Sequence, residues 1–376
     1  MTPDRNQQPN FKLRQARLVS SMSAADLKLI ALNPGPSLVY LTGLHFHLSE
    51  RPVIALFAPH TPPILVMPEL ESIKAKSVSF PVQVFLYGED PATWPGVFHQ
   101  AVLAAQIGST KVGVEPTRLR YLELNLLQNA APEAQFLPAE DVVADLRMHK
   151  DDFEIDCMRR AVDIAQKALE ATLPFIKPGI TEKQIASELT INLFKAGSDT
   201  EFPFTPIVSG GPNGANPHAT PSERALQSGD LLVIDWGAMY NGYASDLTRT
   251  FAIGKIEPEF EKIHEIVLQA NTAARMVARP GISAGEVDLA ARHVIEKAGY
   301  GEFFVHRTGH GLGMEGHEPP YIRSGSNQVL KAGMTFTIEP GIYLPERGGV
   351  RIEDDMVIVS DKAESLSTFP RELMQL

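Results

Sequence analysis

Cysteine is almost absent from this chain, since Cys157 is the one cysteine among 376 residues. A single thiol excludes an internal disulfide framework of the kind that stabilises small secreted domains. Cys157 lies within a segment of helical periodicity, so we expect a buried and unreactive thiol. This cysteine usage favours a reducing compartment, and we predict a cytoplasmic protein.

Positive charge is also scarce, because 34 Lys and Arg face 45 Asp and Glu, which gives a net charge of −11. Nucleic acids and anionic membranes attract basic patches, so we predict that neither is a partner. Long apolar runs are missing as well. The most apolar stretch, residues 52–68, is broken by His60, Pro62 and Pro63, which excludes a spanning helix. The polar first 17 residues lack the apolar core of a signal peptide.

The length is sufficient for two domains of roughly 100–200 residues each. We predict that residues 1–12 are disordered, that residues 13–148 form an α/β domain and that residues 149–376 form a second, α+β domain. In the first domain, strand-like runs alternate with helix-like segments. The predicted strands are residues 37–41, 53–57, 64–67, 82–87 and 111–114, and the helices include residues 24–32 and 94–106.

The second domain repeats its own pattern. A Pro-Gly-Ile motif at residues 178–180 recurs at residues 280–282, in each case before a predicted helix. An apolar strand that ends in Asp235 is likewise matched by one that ends in Glu339. Two similar halves can face each other across a pseudo-twofold axis and bring these carboxylates together. That geometry suits a pair of metal ions, which two-metal hydrolases hold ~3.5–4 Å apart.

Five residues are candidate metal ligands: Asp235, Asp246, His310, Glu339 and Glu353. We expect the first two acids on adjacent strands of one hairpin, residues 231–235 and 243–251. The last two would lie on a second hairpin, residues 335–339 and 351–359. Four carboxylates in one site would repel one another unless cations were bound. Oxygen ligands with one imidazole suit Mn²⁺, Co²⁺, Fe²⁺ or Zn²⁺ better than a metal that prefers thiolates.

Several motifs around these residues resemble those of the pita-bread metallopeptidases, in the branch of Xaa-Pro dipeptidases (prolidases) and aminopeptidase P. The motifs are Asp235-Trp-Gly, Ser245-Asp246-Leu-Thr-Arg-Thr-Phe251, Thr308-Gly-His310-Gly, His317-Glu-Pro-Pro320, Ile338-Glu339-Pro-Gly341 and Arg351-Ile-Glu353-Asp-Asp355. The resemblance extends over nearly the whole chain. It implies a creatinase-like N-terminal α/β domain followed by a pseudo-twofold pita-bread catalytic domain.

The resemblance also implies the metal ligands. Asp235 would bind one of two divalent ions, Asp246 and Glu353 would bridge both, and His310 and Glu339 would complete the second. Manganese is the predicted metal, with cobalt, zinc or iron as alternatives. A metal-activated hydroxide would hydrolyse Xaa-Pro peptide bonds, since a bound cation can lower the pKa of water to near 7.

The family pattern assigns roles to further side chains. Glu339 would also shuttle the proton of the attacking water. His218 and His317 match the two substrate-site histidines, of which one would stabilise the oxyanion and the other would hold the scissile amide or the carboxylate end. Arg351 would support the metal ligands or bind a carboxylate. The resemblance also implies a small peptide substrate with proline second, and a homodimer.

Some alternatives stay open at this level. A dipeptidase must close around the product carboxylate, whereas an aminopeptidase P must leave room beyond it, and the compact length favours the dipeptidase. A non-peptide amide hydrolase or a lyase on the same scaffold is a further alternative, because fold alone does not define the reaction. His306 is a candidate supporting or substrate contact. In the first domain, His45 and His47 are either part of a polar strand edge or contribute to a neighbouring subunit's cleft.

Overall fold

The computed structural model describes residues 9–376, and the chain passes from one compact unit to a second between Arg147 and Met148. Most of the segment predicted to be disordered, residues 1–8, lies outside the described residues. The described part of this segment does not match the predicted disorder. A helix begins at Phe11, and the side chain of Asn10 caps it. Asparagine is among the preferred N-cap residues, since its oxygen accepts a backbone N–H that the first turn leaves unpaired.

The N-terminal unit is built of helices and short strands that alternate along the chain. Its helices are α1 (Phe11–Ala24), α2 (Pro36–Thr42), α3 (Ser72–Ala75), α4 (Trp94–Ala104), α5 (Tyr121–Ala130) and α6 (Glu140–Met148). Its strands are β1 (Leu29–Leu32), β2 (Ile54–Phe57), β3 (Ile64–Pro68), β4 (Gln83–Tyr87), β5 (Lys111–Val114) and β6 (Gln135–Pro138). They form a six-stranded mixed sheet in the order β4-β3-β2-β1-β5-β6, as expected for an α/β domain.

Two of the predicted segments in this unit are wrong. Residues 37–41 form helix α2 and not a strand, because Pro36 has the fixed φ that suits a first helical turn and Gly43 ends the helix at φ 72°. Residues 24–32 do not form a helix beyond Ala24, which ends α1. They hold a turn followed by β1, whose four residues are all buried in the centre of the sheet.

His45 and His47 lie in neither a helix nor a strand, so the polar strand edge is wrong for this pair. Both side chains are exposed. Their loop is tied to α3, because the Lys74 ammonium donates to the backbone carbonyl of His45 at 2.8 Å and lies 4.8 Å from the centre of the Phe46 ring.

The C-terminal unit contains two long helical pairs and more numerous strands. Its helices are α7 (Asp152–Thr172), α8 (Glu182–Ala196), α9 (Pro258–Val277) and α10 (Ala284–Lys297). The strands before α9 are β7 (Ile207–Gly210), β8 (Leu231–Trp236), β9 (Met239–Tyr240), β10 (Tyr243–Ala244) and β11 (Leu247–Ala252). The later strands are β12 (Gly309–Gly311), β13 (Glu318–Ile322), β14 (Thr335–Ile338), β15 (Gly341–Leu344), β16 (Gly348–Arg351), β17 (Asp354–Ile358), β18 (Ala363–Ser365) and β19 (Met374–Gln375).

These strands form one main sheet in each half of the unit and two separate two-stranded pairs, β9-β10 and β15-β16. The first sheet has the order β19-β11-β8-β7 and the second β13-β12-β14-β17-β18. An isolated antiparallel bridge between Thr248 and Glu353 joins the start of β11 to the chain just before β17. The predicted pairing of residues 335–339 with 351–359 is only partly right, because Arg351 belongs to a separate hairpin of β15 and β16.

The repeat seen in the sequence is also a repeat of backbone contacts. In both halves the second helix begins with a capping box, and the glycine of the preceding Pro-Gly donates its N–H at 2.9 Å to a leucine carbonyl that lies before the acid-bearing strand. The matched pairs are Thr181 with Ser283, Gly179 with Gly281, and Leu226 with Leu330. Both glycines have positive φ, 91° and 86°, which an L side chain rarely adopts. The two halves therefore share a local fold.

Each half has its own apolar core. One core includes Ile234, which lies just before Asp235, and the other includes Ile338, which lies just before Glu339. Both isoleucines are fully buried. Burying these positions anchors the strand ends from which the acids project. Within residues 9–376, no helix is both long enough and apolar enough to cross a membrane.

Truncation of Ile338 to alanine should lower the free energy of unfolding by about 2–5 kcal/mol, because it leaves a cavity in a closely packed core. Ile191→Ala is the matched control, since Ile191 is 47% exposed on α8 and should lose less than about 1 kcal/mol. Urea denaturation followed by circular dichroism measures both. Equal losses in the two variants would contradict the anchoring role of Ile338.

Candidate metal centre

The five predicted ligands come together at the ends of strands from both halves. They form overlapping groups whose ligand atoms lie within 4.8 Å of one another. The groups are Asp235 with Asp246 and Glu353; His310 with Glu339 and Glu353; and Asp246 with His310 and His317. All are buried except Glu339, which is partly exposed, and His317, which is exposed. The structure thus gathers the five residues and adds His317 to their edge.

Thr248 links the two sheets at this site. In the pairing of β8 with β11 it lies opposite Asp235, and it forms the bridge to Glu353 from its other side. Its hydroxyl donates to the Glu353 carboxylate at 2.7 Å. Asp246 immediately precedes β11, so two acids of the first half and one of the second lie around a single threonine.

His310 occupies a position between two glycines where the strands approach closely. A Cβ on Gly309 would lie 1.9 Å from the Thr337 carbonyl oxygen, and one on Gly311 would lie 2.2 Å from the Pro319 carbonyl oxygen. The imidazole Nδ1 lies 3.1 Å from the Gly311 carbonyl, which can only accept, so Nδ1 carries the proton. The unprotonated Nε2 therefore faces the acids, 3.3 Å from Glu339 and 3.6 Å from Asp246.

The pKa values follow from the burial of this cluster. Desolvation, followed by repulsion from neighbouring carboxylates, raises the pKa of Asp246 and of Glu353 well above their ordinary values. Burial also raises the pKa of Asp235, and it raises the pKa of Glu339 to about 8. For His310 burial lowers the pKa well below its ordinary value, which keeps the ring neutral and able to act as a ligand.

These residues fit divalent metal ions. The Asp235 Oδ1 atom is buried and has no hydrogen-bond partner among residues 9–376. An orphaned carboxylate oxygen next to three further acids, two of them fully buried, is unfavourable without a cation. Carboxylate oxygens with one neutral imidazole nitrogen are also the ligand set that Mn²⁺, Fe²⁺, Co²⁺ and Zn²⁺ accept.

Arg351 is the one cation that contacts this cluster directly among the described residues. It donates to the Asp235 carboxylate at 2.6 Å and to the Thr248 hydroxyl at 3.0 Å. Its remaining terminal nitrogen donates to the Tyr343 hydroxyl at 2.8 Å and to the Pro217 carbonyl at 3.3 Å. With every side-chain nitrogen engaged, Arg351 supports Asp235, and its alternative role in binding a substrate carboxylate stays a prediction.

The hydrogen bonds of Arg351 continue through Tyr343 to His306. The His306 Nδ1 lies 2.7 Å from the Arg307 carbonyl and must donate to it, so Nε2 accepts from the Tyr343 hydroxyl at 2.8 Å. Tyr343 in turn accepts from Arg351. The chain of donors runs from Arg351 through Tyr343 to His306, which makes His306 a supporting residue. Tyr343 was not predicted, because nothing in its sequence surroundings marks it.

A further layer of buried acids lies behind Asp246 and Glu353. The backbone N–H of Asp246 donates to Asp355 at 3.0 Å, and Asp354 is ion-paired with Arg249 at 3.0 Å and with Arg371 at 2.6 Å. The sequence analysis placed both acids in a family motif but predicted no role for either. Their contacts hold the backbone on which the ligands are mounted.

The cluster opens into a cavity of about 460 Å³. Besides the five ligands and Arg351, its lining residues are Phe204, Thr205, Ile207, Pro217, His218, His306, Arg307 and His317. His218 and His317 both line this cavity and are exposed. The His317 ring lies over His310, with 3.8 Å between ring centres.

Arg307 is a wall residue that the sequence analysis missed. Its guanidinium stacks on the Tyr321 ring at 4.6 Å and lies 3.3 Å from the His317 Nδ1. Within residues 9–376 it forms no ion pair with a carboxylate, so its charge faces the cavity. The signal available was its position directly before the Thr308-Gly-His310-Gly motif.

Two family models match this chain. The family model described as metallopeptidase family M24 matches residues 156–360, and that described as the creatinase/prolidase N-terminal domain matches residues 14–149. The Xaa-Pro dipeptidase of Pyrococcus horikoshii is 36% identical over 97% of this chain and 99% of that protein. A crystal structure of prolidase from Thermococcus sibiricus is 34% identical with a TM-score of 0.92, and the match covers 98% of this chain and 100% of that one.

The same fold occurs in an aminopeptidase. The X-Pro aminopeptidase structure from Thermotoga maritima is 31% identical, with a TM-score of 0.84, over 96% of this chain and 99% of that one. This chain is therefore nearly as similar to the aminopeptidase structure as to the prolidase structure. Overall fold does not separate the two activities.

The class of the protein follows from these matches and from the cluster: it is a metal-dependent peptidase with a creatinase-type N-terminal domain and a pita-bread catalytic domain. The chain belongs to metallopeptidase family M24. The predicted family, fold class and enzyme class are thereby confirmed.

The raised pKa of Glu339 predicts how the metal-free protein responds to pH. A carboxyl with a folded pKa of about 8, against an ordinary 4.5, contributes stability below pH 4.5 and loses it as the pH rises through 8. With a chelator present to remove metal, the free energy of unfolding of the wild type should therefore fall relative to that of Glu339→Gln between pH 5 and pH 9. Urea denaturation at each pH measures the difference.

The control for this measurement is Glu296→Gln, which removes an exposed carboxylate on α10 outside the cluster. Its stability relative to the wild type should not drift in the same direction. A constant difference between the wild type and Glu339→Gln across this range would contradict the burial of Glu339 as a protonated acid in the metal-free protein.

Proposed function

We propose that this enzyme hydrolyses Xaa-Pro dipeptides, with aminopeptidase P activity as the alternative. The observation that carries the proposal is the buried cluster of four carboxylates and His310, which opens into a cavity of about 460 Å³. A cavity of this size accommodates a small ligand, in the usual range of ~300–1,000 Å³. The relatives named Xaa-Pro dipeptidase and prolidase support the same substrate class.

In the proposal, Asp235 would hold one divalent ion, His310 and Glu339 would hold the other, and Asp246 and Glu353 would serve both. The overlapping groups support this division, because Glu353 is within ligand range of Asp235 and also of His310. Manganese is the proposed metal, with cobalt, zinc and iron as alternatives. When bound, two such ions lower the pKa of water and polarise the scissile carbonyl.

The protein's own groups would manage the protons and the substrate. Glu339 faces the cavity and can accept the proton of the attacking water, then pass it to the proline nitrogen that leaves. His218 and His317 can donate to the oxyanion or hold the scissile amide. Arg351 orients Asp235 and favours its ionised form, which its 2.6 Å contact supports.

Arg307 is the residue we propose for the substrate carboxylate. A dipeptide differs from longer peptides in carrying its C-terminal carboxylate directly on the proline residue. Arg307 offers a charge without a carboxylate partner on the cavity wall, next to His317. An arginine can pair with a carboxylate through two parallel hydrogen bonds. Such a pair favours binding of a substrate whose C-terminal carboxylate lies at this position.

Other aspects stay predictions. These are the homodimer, the cytoplasmic location, the domain limits at residues 13–148 and 149–376, and a contribution of His45 or His47 to a neighbouring subunit's cleft. A non-peptide amide hydrolase or a lyase also stays an alternative, and it is tested by the same assay.

The first test compares hydrolysis of Ala-Pro with that of Ala-Pro-Ala, after chelation and separate reconstitution with Mn²⁺, Co²⁺, Zn²⁺ and Fe²⁺. We expect cleavage of the dipeptide and little of the tripeptide, with at least one of these metals. Asp246→Asn should lose more than about 100-fold in kcat, because it weakens a ligand of both ions.

Asp163→Asn is the matched control, since Asp163 is an exposed partner of Lys167 on α7, and its activity should be unchanged. Preference for the tripeptide would favour aminopeptidase P. Activity on neither substrate, with metal bound as measured by mass spectrometry, would overturn the peptidase assignment in favour of the amide hydrolase or lyase.

Arg307→Ala should raise KM for Ala-Pro about 10–100-fold, because a hydrogen bond to a charged group contributes about 1.5–3 kcal/mol. Ala-Pro amide lacks the carboxylate, so its kcat/KM should change less than about 2-fold on the same substitution. The control is Arg347→Ala, because Arg347 pairs with Glu257 and Glu259 and does not line the cavity. An equal loss on both substrates would refute carboxylate binding by Arg307.

A further inference from the structure

A buried ion pair lies next to the cavity but takes no part in the chemistry described so far. The Lys150 ammonium donates to the Glu318 carboxylate at 2.6 Å, and the side chains are only 1% and 5% exposed. Charged side chains are rarely buried so completely, and breaking such a pair leaves an uncompensated charge. The location of this pair therefore needs an explanation.

Glu318 directly follows His317 in the chain. Successive residues of an extended segment point to opposite sides. His317 accordingly lies on the cavity wall, whereas Glu318 is buried behind it as the first residue of β13. The ion pair thus holds the back of the segment whose front carries a proposed substrate-site histidine.

The same pair lies behind the irregular pairing at His310. The register of β12 with β13 shifts between His310 and Gly311, and Gly311 then lies opposite Glu318. The space is tight, because a Cβ on Gly313 would be 2.6 Å from the Glu318 carboxylate and 2.9 Å from the Lys150 side chain. A shift of Glu318 would therefore be passed to the strand that orients His310.

Lys150 is itself held by its backbone. Its N–H donates to the Gly333 carbonyl at 2.9 Å, and the adjacent His149 imidazole contacts the Ala332 carbonyl at 3.2 Å. These residues lead into β14 and so to Glu339. The start of the C-terminal unit is thus fastened to the strands that carry both the histidines and a ligand acid.

We propose that Lys150 is a positioning residue that acts through Glu318 to hold His317 against His310 on the cavity wall. The kinetic part of the proposal rests on the proposed Xaa-Pro dipeptidase function. Lys150 does not touch the substrate, so its contribution should require the His317 side chain.

The test is a double-mutant cycle of Lys150→Met with His317→Ala, with kcat/KM for Ala-Pro as the readout. In the wild-type background Lys150→Met should lower kcat/KM about 10-fold, and in the His317→Ala background less than about 2-fold, because coupled residues are non-additive. Equal factors in both backgrounds, or no loss in either, would overturn the proposal. Glu318→Gln should reproduce the pattern, and it replaces Lys150→Met if that variant does not fold.

Asn192→Ala controls for a general loss of stability. Asn192 donates to the Thr172 hydroxyl at 3.0 Å in a buried contact between α7 and α8, outside the catalytic cavity. Its melting temperature should fall while kcat/KM stays within about 2-fold of the wild type. All variants are assayed well below their melting temperatures.

Crystal structures of the wild type and of Lys150→Met give a readout that needs no substrate. The separation of the His310 and His317 ring centres, 3.8 Å here, should increase in the variant. An unchanged ring arrangement would overturn the positioning role. Absence of wild-type hydrolysis of any Xaa-Pro peptide would instead contradict the proposed function, and the structures would still decide the positioning role.

Discussion

The repulsion among four buried carboxylates is the constraint on which the rest of the catalytic unit depends. Burial alone would favour protonation of all of them, and the raised pKa values of Asp246, Glu339 and Glu353 reflect that tendency. Among residues 9–376 the fold counters it with a single direct cation, Arg351, whose guanidinium contacts Asp235 and, through Thr248, reaches Glu353. One guanidinium cannot balance four acids. The deficit is what makes the cluster a site for divalent cations and not a set of structural ion pairs.

The two halves of the catalytic unit contribute unequally to this site although they share a local fold. The first half supplies Asp235 and Asp246 from one pair of strands, whereas the second supplies His310 and the two glutamates from several segments. Neither half holds a complete ligand set. The bridge between Thr248 and Glu353 joins them at the point where the charges converge, so the site exists only when both sheets are formed.

The sequence was sufficient to predict which side chains gather, because Asp235 and Glu339 occupy repeated positions at the ends of apolar strands and all five candidates fall within family motifs. Local conformation was less predictable. Residues 37–41 are apolar enough for a strand, but Pro36 and Gly43 delimit a short helix. Supporting contacts were missed for another reason. Tyr343 contacts His306 across 37 positions, and Lys150 contacts Glu318 across 168, so neither partner is visible in a local pattern. Such contacts depend on the tertiary fold.

The glycines on either side of His310 have a consequence for how such a protein can change. At Gly309 and Gly311 even a methyl group would collide with a neighbouring strand's backbone, so the ligand's immediate surroundings admit almost no variation. Phe204, His218 and Arg307 line the cavity from loops and carry no such restriction. New substrates are therefore accessible through these loops while the metal-binding strands stay as they are. One part of the cavity, the loops, can change in evolution, whereas the other part, the strands, is constrained.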